Sequence, residues 1–187
     1  MKHTLIVAAI LASAVPAYAA ETYVIDPGHT IPTYEISHLG FSTQRGRFDG
    51  SSGKVVLDRA AKVGSVDITI DAKSLSTGVA KLDQHLRSED FFNVEKYPAM
   101  TFKSDKVNFS GDQITSVDGK FTLLGVTRPL TLTVAHFKCG QNPIVKKEEC
   151  GGDATAIIKR SEFGMTKYVP AVGDEVQLTM PVEAFKQ

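Results

Sequence analysis

The sequence predicts an all-β fold, an antiparallel eight-stranded barrel closed by one short helical plug. Three observations carry this expectation. Most of the chain alternates apolar and polar residues with a period of two, the pattern of half-buried strands. Turn residues break that alternation at short intervals, and no βαβ rhythm appears. One stretch, residues 82–98 (LDQHLRSEDFFNVEKYP), abandons the period altogether. So many strands would leave exposed edges, and closure into a barrel removes them.

In chain order, residues 1–19 read as a targeting segment. Lys2 and His3 form a short positive region, residues 5–15 an apolar run, and Ala17-Tyr18-Ala19 a small-x-small cleavage site. The run is too short to span a bilayer. Cleavage after Ala19 takes 19 residues from 187 and leaves 168, the size of a single domain. Residues 20–187 are therefore expected to fold as one exported barrel in the periplasm.

The strands follow. Residues 22–25 open the first, and Asp26-Pro27-Gly28 turns it. Tyr34, Ile36 and His38 then share one face, with Pro32 marking an edge or entry position. Gly40 and Gly46 punctuate a strand expected to carry Phe41 and Phe48. Val55 and Leu57 form the next apolar face, then Val66, Ile68 and Ile70. Within the interruption, Leu82 and Leu86 lie one helical turn apart, and the Phe91-Phe92 pair must be buried against neighbouring strands. Arg87 is expected to pair with Glu89 or Asp90.

Alternation resumes with Met100, Phe102 and Ser104. Phe121 and Leu123 face Leu130, Leu132 and Val134 across a hairpin at residues 125–128. Residues 154–160 and 175–185 supply the last two strands, the second carrying Val176, Leu178, Met180 and Val182 on one face.

Composition narrows the chemistry. Without Lys2 the balance is 20 basic against 21 acidic residues, scattered, which lacks the concentrated basic face that nucleic acid requires. Cys139 and Cys150, with an export signal, point to one disulfide across a polar loop, contributing about 3 kcal/mol at most. Zinc would need further ligands, and only His136 stands near; no metal is expected. His38, His85, Asp83, Glu89 and Asp90 are the groups an acid–base catalyst could use, but Asp83 and His85 do not share a helix face, and neither G-x-S-x-G nor H-E-x-x-H occurs. No catalytic residue is assigned. His38 is expected to be a satisfied core histidine or, if functional, a hydrogen-bond donor to a lipid headgroup.

Several stretches in order, SHLGF (37–41), HLRSEDFFNVEKYP (85–98), LLGVTRP (123–129), KRSEFGM (159–165) and VQLTMPVEA (176–184), resemble the YceI-like family of periplasmic polyisoprenoid-binding proteins. The likeness spans essentially the whole exported chain. It implies an extended lipocalin-like barrel whose apolar tunnel holds a polyisoprenoid or similar amphiphile, such as a prenyl quinone, prenyl phosphate or fatty amide. The loop between the cysteines departs from the simplest family members as an insertion at one barrel end. Alternation together with the family pattern selects Tyr34, Ile36, His38, Phe48, Leu57, Ile68, Phe91, Phe102, Phe121, Leu132, Leu178 and Met180 as ligand-binding.

The expected activity is binding for transport or storage, without a cofactor other than the bound lipid. Membrane contact is at most transient, and an inner-membrane redox partner or a homodimer stays open. The competing readings are an envelope interaction protein with a filled barrel and, behind it, an isomerase or hydrolase acting on a lipid. An eight-stranded barrel can either be filled by its own side chains or hold one small ligand.

Overall fold

A computed structural model describes residues 19–187. The targeting segment expected at residues 1–19 lies, except for Ala19, outside the described residues. Eleven strands, one α-helix and two 3-10 turns (Ala72–Ser74 and Arg160–Phe163) appear among them: β1 (Glu21–Ile25), β2 (Thr33–His38), β3 (Ser42–Phe48), β4 (Ser51–Asp58), β5 (Val63–Asp71), β6 (Leu75–Ser76), α1 (Ala80–Arg87), β7 (Ala99–Ser110), β8 (Gln113–Leu123), β9 (Val126–Gln141), β10 (Glu148–Lys159) and β11 (Val172–Lys186). All pairings are antiparallel. Eight strands, in the order β1-β4-β5-β7-β8-β9-β10-β11, close on themselves through β1–β11.

The three strands beyond eight arise because β11 is long. Its C-terminal part pairs with β1, from Ala184 to Lys186, and its N-terminal part pairs with β2, from Val172 to Thr179. Between β1 and β2 the chain turns at Asp26, whose side chain accepts from the Gly28 N–H at 2.9 Å while Thr30 N donates to the Asp26 carbonyl at 2.8 Å. Strands β2, β3 and β6 therefore extend the wall past the closed barrel at one end, here termed the mouth.

The alternation is realised as inward-facing side chains. Val66, Ile68 and Ile70 on β5 are buried, as are Leu57, Met100, Phe102, Phe121, Leu132 and Met180 on neighbouring strands. Gly119 on β8 lets the wall accommodate an aromatic: a Cβ there would come within 2.5 Å of Phe102 Cζ.

Three local expectations are corrected. Phe41 is 90% exposed. The chain reverses at Leu39 and Gly40, both with positive φ, so Phe41 sits at a hairpin tip and not in a strand. The β8–β9 turn is also shorter than expected, with Leu124 and Gly125 in left-handed conformations joining strands that run to Leu123 and from Val126. Arg87 pairs with neither Glu89 nor Asp90. Its guanidinium donates to the carbonyls of Lys73, at 3.0 Å, and Leu75.

Helix α1 itself buries no residue completely. The segment after it does, through Phe91 and Val94. The plug is thus a half-exposed helix anchored by the aromatic that follows it. A short helix draws its stability from such packing rather than from its own hydrogen bonds.

Candidate functional site

The barrel axis holds three adjoining cavities. Near the mouth lies a chamber of about 490 Å³, walled by β2, β3, β10 and β11 and roofed by α1 with Leu82, His85 and Leu86. A narrower cavity of about 60 Å³ follows, sharing Tyr34, Phe48, Met100, Phe121 and Leu178 with the chamber. A third, of about 80 Å³, lies toward the far end and shares Leu132, Ala154 and Met180 with the second. From Cys150 in the far cavity to Ile158 in the chamber, β10 advances eight residues, roughly 26 Å along the strand. At the usual barrel tilt this is about 20 Å along the axis.

The side chains singled out from the sequence are distributed along this path. Tyr34, Ile36, His38, Phe48, Phe91, Phe121 and Leu178 line the chamber. Phe102 lines the middle cavity. Leu57 and Ile68 line the far one, and Leu132 and Met180 lie between middle and far.

The chamber also contains residues that the sequence reading passed over, among them Met165, Tyr168, Val172 and Arg160. Arg160 is the most unusual, a cation only 2% exposed. Its Nε donates to Gly173 O at 2.8 Å, Nη1 to Met165 O at 2.9 Å and Nη2 to Val172 O at 3.0 Å. Burial pulls its pKa below the ordinary arginine value. Asp174 is committed elsewhere, accepting from Ser161 N at 2.9 Å and Ser161 Oγ at 2.7 Å, and these bonds hold its carboxyl below the usual range. A signal for Arg160 existed: buried positions Ala154 and Ile158 on β10 put residue 160 in the same inward phase.

Elsewhere the chamber wall is sparsely polar. Tyr34 is drawn into it, and burial pushes its hydroxyl up to about 12. Thr77 holds Asp83 by its N–H at 2.7 Å and its hydroxyl at 2.6 Å, and the hydroxyl bond keeps that carboxyl below the usual range. His85 packs edge-on against Phe91, with centroids 4.9 Å apart, and Asp90 pairs with Lys167 at 3.2 Å. His38 is exposed at the mouth, which corrects the expectation of a core histidine: the end of β2 runs past the closed barrel into solvent.

At the far end the path meets a charged cap. Tyr23, fully buried, places its hydroxyl 2.7 Å from Glu21 and 3.0 Å from Glu148; burial, then these carboxylates, push it well above the ordinary tyrosine value. Arg59 and Lys186 bridge the same two carboxylates. Cys139 and Cys150 face each other across β9 and β10 and form the disulfide. His136 binds Asp153 at 2.9 Å instead of approaching the cysteines. Asp26, His29 and Glu183 bring three potential metal donors together on the surface, where His29 Nδ1 is occupied by Asp26 at 2.7 Å.

The eight-stranded barrel has known relatives in sequence and in fold. The chain is 35% identical over 182 residues to Protein YceI of Salmonella arizonae, covering 96% of this chain and 94% of that one. Its fold is similar to BcnA of Burkholderia cenocepacia, with a TM-score of 0.71 and 27% identity over 86% of this chain and 99% of that one. A polyisoprenoid binding domain from Saccharophagus degradans shares the fold, with a TM-score of 0.65 at 15% identity, over 88% of this chain and 98% of that one. The YceI-like domain model matches residues 23–184, from the first strand of the barrel to the last, and the chain therefore belongs to the YceI-like family.

Proposed function

We propose that the protein binds a single long-chain amphiphile of the polyisoprenoid class, headgroup toward the mouth and chain along the barrel axis, and carries or stores it in the periplasm. The chamber of about 490 Å³ and its continuation past Phe121 and Met180 is the observation that carries this reading. It weighs against a filled barrel, because interiors are otherwise packed with few voids larger than a water molecule. The Saccharophagus domain, named for polyisoprenoid binding, supports the same reading through its fold.

The energetics are sufficient. A chain that removes several hundred Å² of apolar surface from water gains about 25 cal/mol per Å², and part of that gain is offset by ordering the chain and by lost translational freedom. Binding needs no cofactor and no catalytic residue. Of the groups considered for catalysis, Asp83 is hydrogen-bonded to Thr77, Asp90 pairs with Lys167, and His85 packs edge-on against Phe91.

Native mass spectrometry of the protein purified from periplasm, followed by solvent extraction, tests the proposal. A stoichiometric adduct whose mass differs by isoprene units among species supports it. Absence of an adduct, together with no uptake of added prenyl quinone or prenyl phosphate, overturns it.

A further inference from the structure

Two arginines line the chamber: Arg45 is exposed and paired with Glu35 at 2.8 Å, whereas the buried one, Arg160, has no carboxylate within hydrogen-bond distance. Arg160 is nearly inaccessible, lines the chamber, and meets only backbone carbonyls within hydrogen-bond distance. A guanidinium offers five N–H donors. Three carbonyl bonds leave two of them, one on each terminal nitrogen, without a protein acceptor among the described residues. An arginine in a largely apolar surround is costly unless its charge and its donors are answered. Here the carbonyls answer part of the hydrogen bonding and none of the formal charge. The carboxylate of Asp174, which acts on Arg160 through space, is bonded to Ser161.

The position suits a headgroup. Arg160 follows the last residue of β10, two residues beyond Ile158 and opening a short 3-10 turn (Arg160–Phe163) on the mouth side of the chamber, and its partners Met165 and Val172 also line the chamber. The positions shared with the middle cavity are Phe48, Met100, Phe121 and Leu178, all apolar, and Tyr34, which carries no charge. A tail could fill the inner path while its polar end stopped at the guanidinium.

Resting on the lipid-binding reading above, we infer that Arg160 is the specificity-determining residue of the chamber and selects amphiphiles whose headgroup is an oxyanion, a phosphate or a carboxylate, over neutral ones of the same chain. An oxyanion supplies what the carbonyls and the more distant Asp174 do not, a negative charge in direct contact and acceptors for the two remaining N–H groups. A neutral alcohol supplies at most one acceptor and no charge.

The test compares matched pairs by displacement of a neutral fluorescent long-chain reporter from the delipidated protein: geranylgeranyl monophosphate against geranylgeraniol, and hexadecanoate against hexadecanol. The expected result is at least tenfold tighter binding of the anion in one or both pairs. Preference in both pairs assigns a general oxyanion seat, and preference in the prenyl pair alone assigns phosphate as its source. In Arg160→Met, similar in length and uncharged, the anion-to-alcohol ratio falls toward one. If the residue only clamps its loop, Arg160→Met weakens all four ligands alike and leaves the ratio intact, which overturns the inference. Should that variant fail to fold, the wild-type ratios decide: equal affinities within each pair overturn it. Failure of all four ligands to displace the reporter, or of the reporter to bind, sinks the lipid reading itself and the inference with it.

Discussion

The ring of Phe102 on β7 lies over the bare Cα of Gly119 on β8, filling the space a side chain there would occupy. Phe102 lines the middle cavity, so this contact sets how far the ring stands from the barrel axis.

Gly119→Ala would force Phe102 inward or strain the β7–β8 pair, because the added methyl also comes within 2.7 Å of the Lys103 carbonyl. The expected cost is about 1–3 kcal/mol by overpacking, read from urea denaturation. The middle cavity narrows, so long chains lose affinity while short chains that stop in the chamber do not. Equal losses across a chain-length series would show that the middle cavity is not part of the binding path.

Arg87 joins the helical roof to the segment before it through the Lys73 and Leu75 carbonyls. Arg87→Met removes these bonds and is expected to lower stability by about 1–2 kcal/mol. The more informative effect is kinetic. A looser roof speeds both uptake and release of a fluorescent lipid, measured by stopped flow, and raises amide exchange across residues 77–92. Unchanged rates would mean that ligand enters without movement of α1.

The Cys139–Cys150 disulfide sits beside the far cavity, away from the chamber. Replacing both cysteines by serine releases a short loop and is expected to cost up to about 3 kcal/mol on the chain-entropy estimate. Ligands short enough to stay in the chamber bind the double variant as they bind the parent. Chemical denaturation with and without reductant, alongside titration of such a ligand, checks both statements.

Acid stability has a defined sign. Asp83, Asp118 and Asp174 are all held below the usual carboxylate range, chiefly by side-chain hydrogen bonds: from Thr77 to Asp83, from Asn108 and then Lys106 and Thr131 to Asp118, and from Ser161 to Asp174. A depressed folded-state pKa stabilises above the unfolded value, about 3.9 for Asp, and that stability is lost as pH falls through the folded value. His29 runs the other way. Its bond to Asp26, and then the nearby Glu183, hold the ring above its ordinary value, so its contribution is full below about pH 6.5 and fades as pH rises through the folded value. The thermal midpoint is therefore expected to fall steeply below about pH 4, and Asp174→Asn should flatten that fall. A midpoint unchanged between pH 5 and pH 2.5 would contradict the assignment.

Sequence alone determined the barrel. Strands with one buried face must alternate, so Val66, Ile68 and Ile70, or Tyr34, Ile36 and His38, declare their shared face without any knowledge of partners. The break in period at residues 82–98 likewise located the plug, and two cysteines either side of a polar loop located the disulfide. Short-range chemistry suffices for such features, and they were legible.

Tertiary structure decided what alternation cannot encode. Whether inward side chains meet or leave a chamber depends on barrel radius and on the extension of β11 past β1 to β2, a long-range pairing. Phe41 looked like a strand aromatic and is exposed, because Leu39 and Gly40 turn the chain just before it. His38 shares the inward phase of Tyr34 but stands where the wall ends, so phase and burial part company. Arg160 is the reverse case: a residue type that composition places on the surface is buried, because the chain from Met165 to Gly173 folds back to supply carbonyls that no local sequence pattern could have assigned to it.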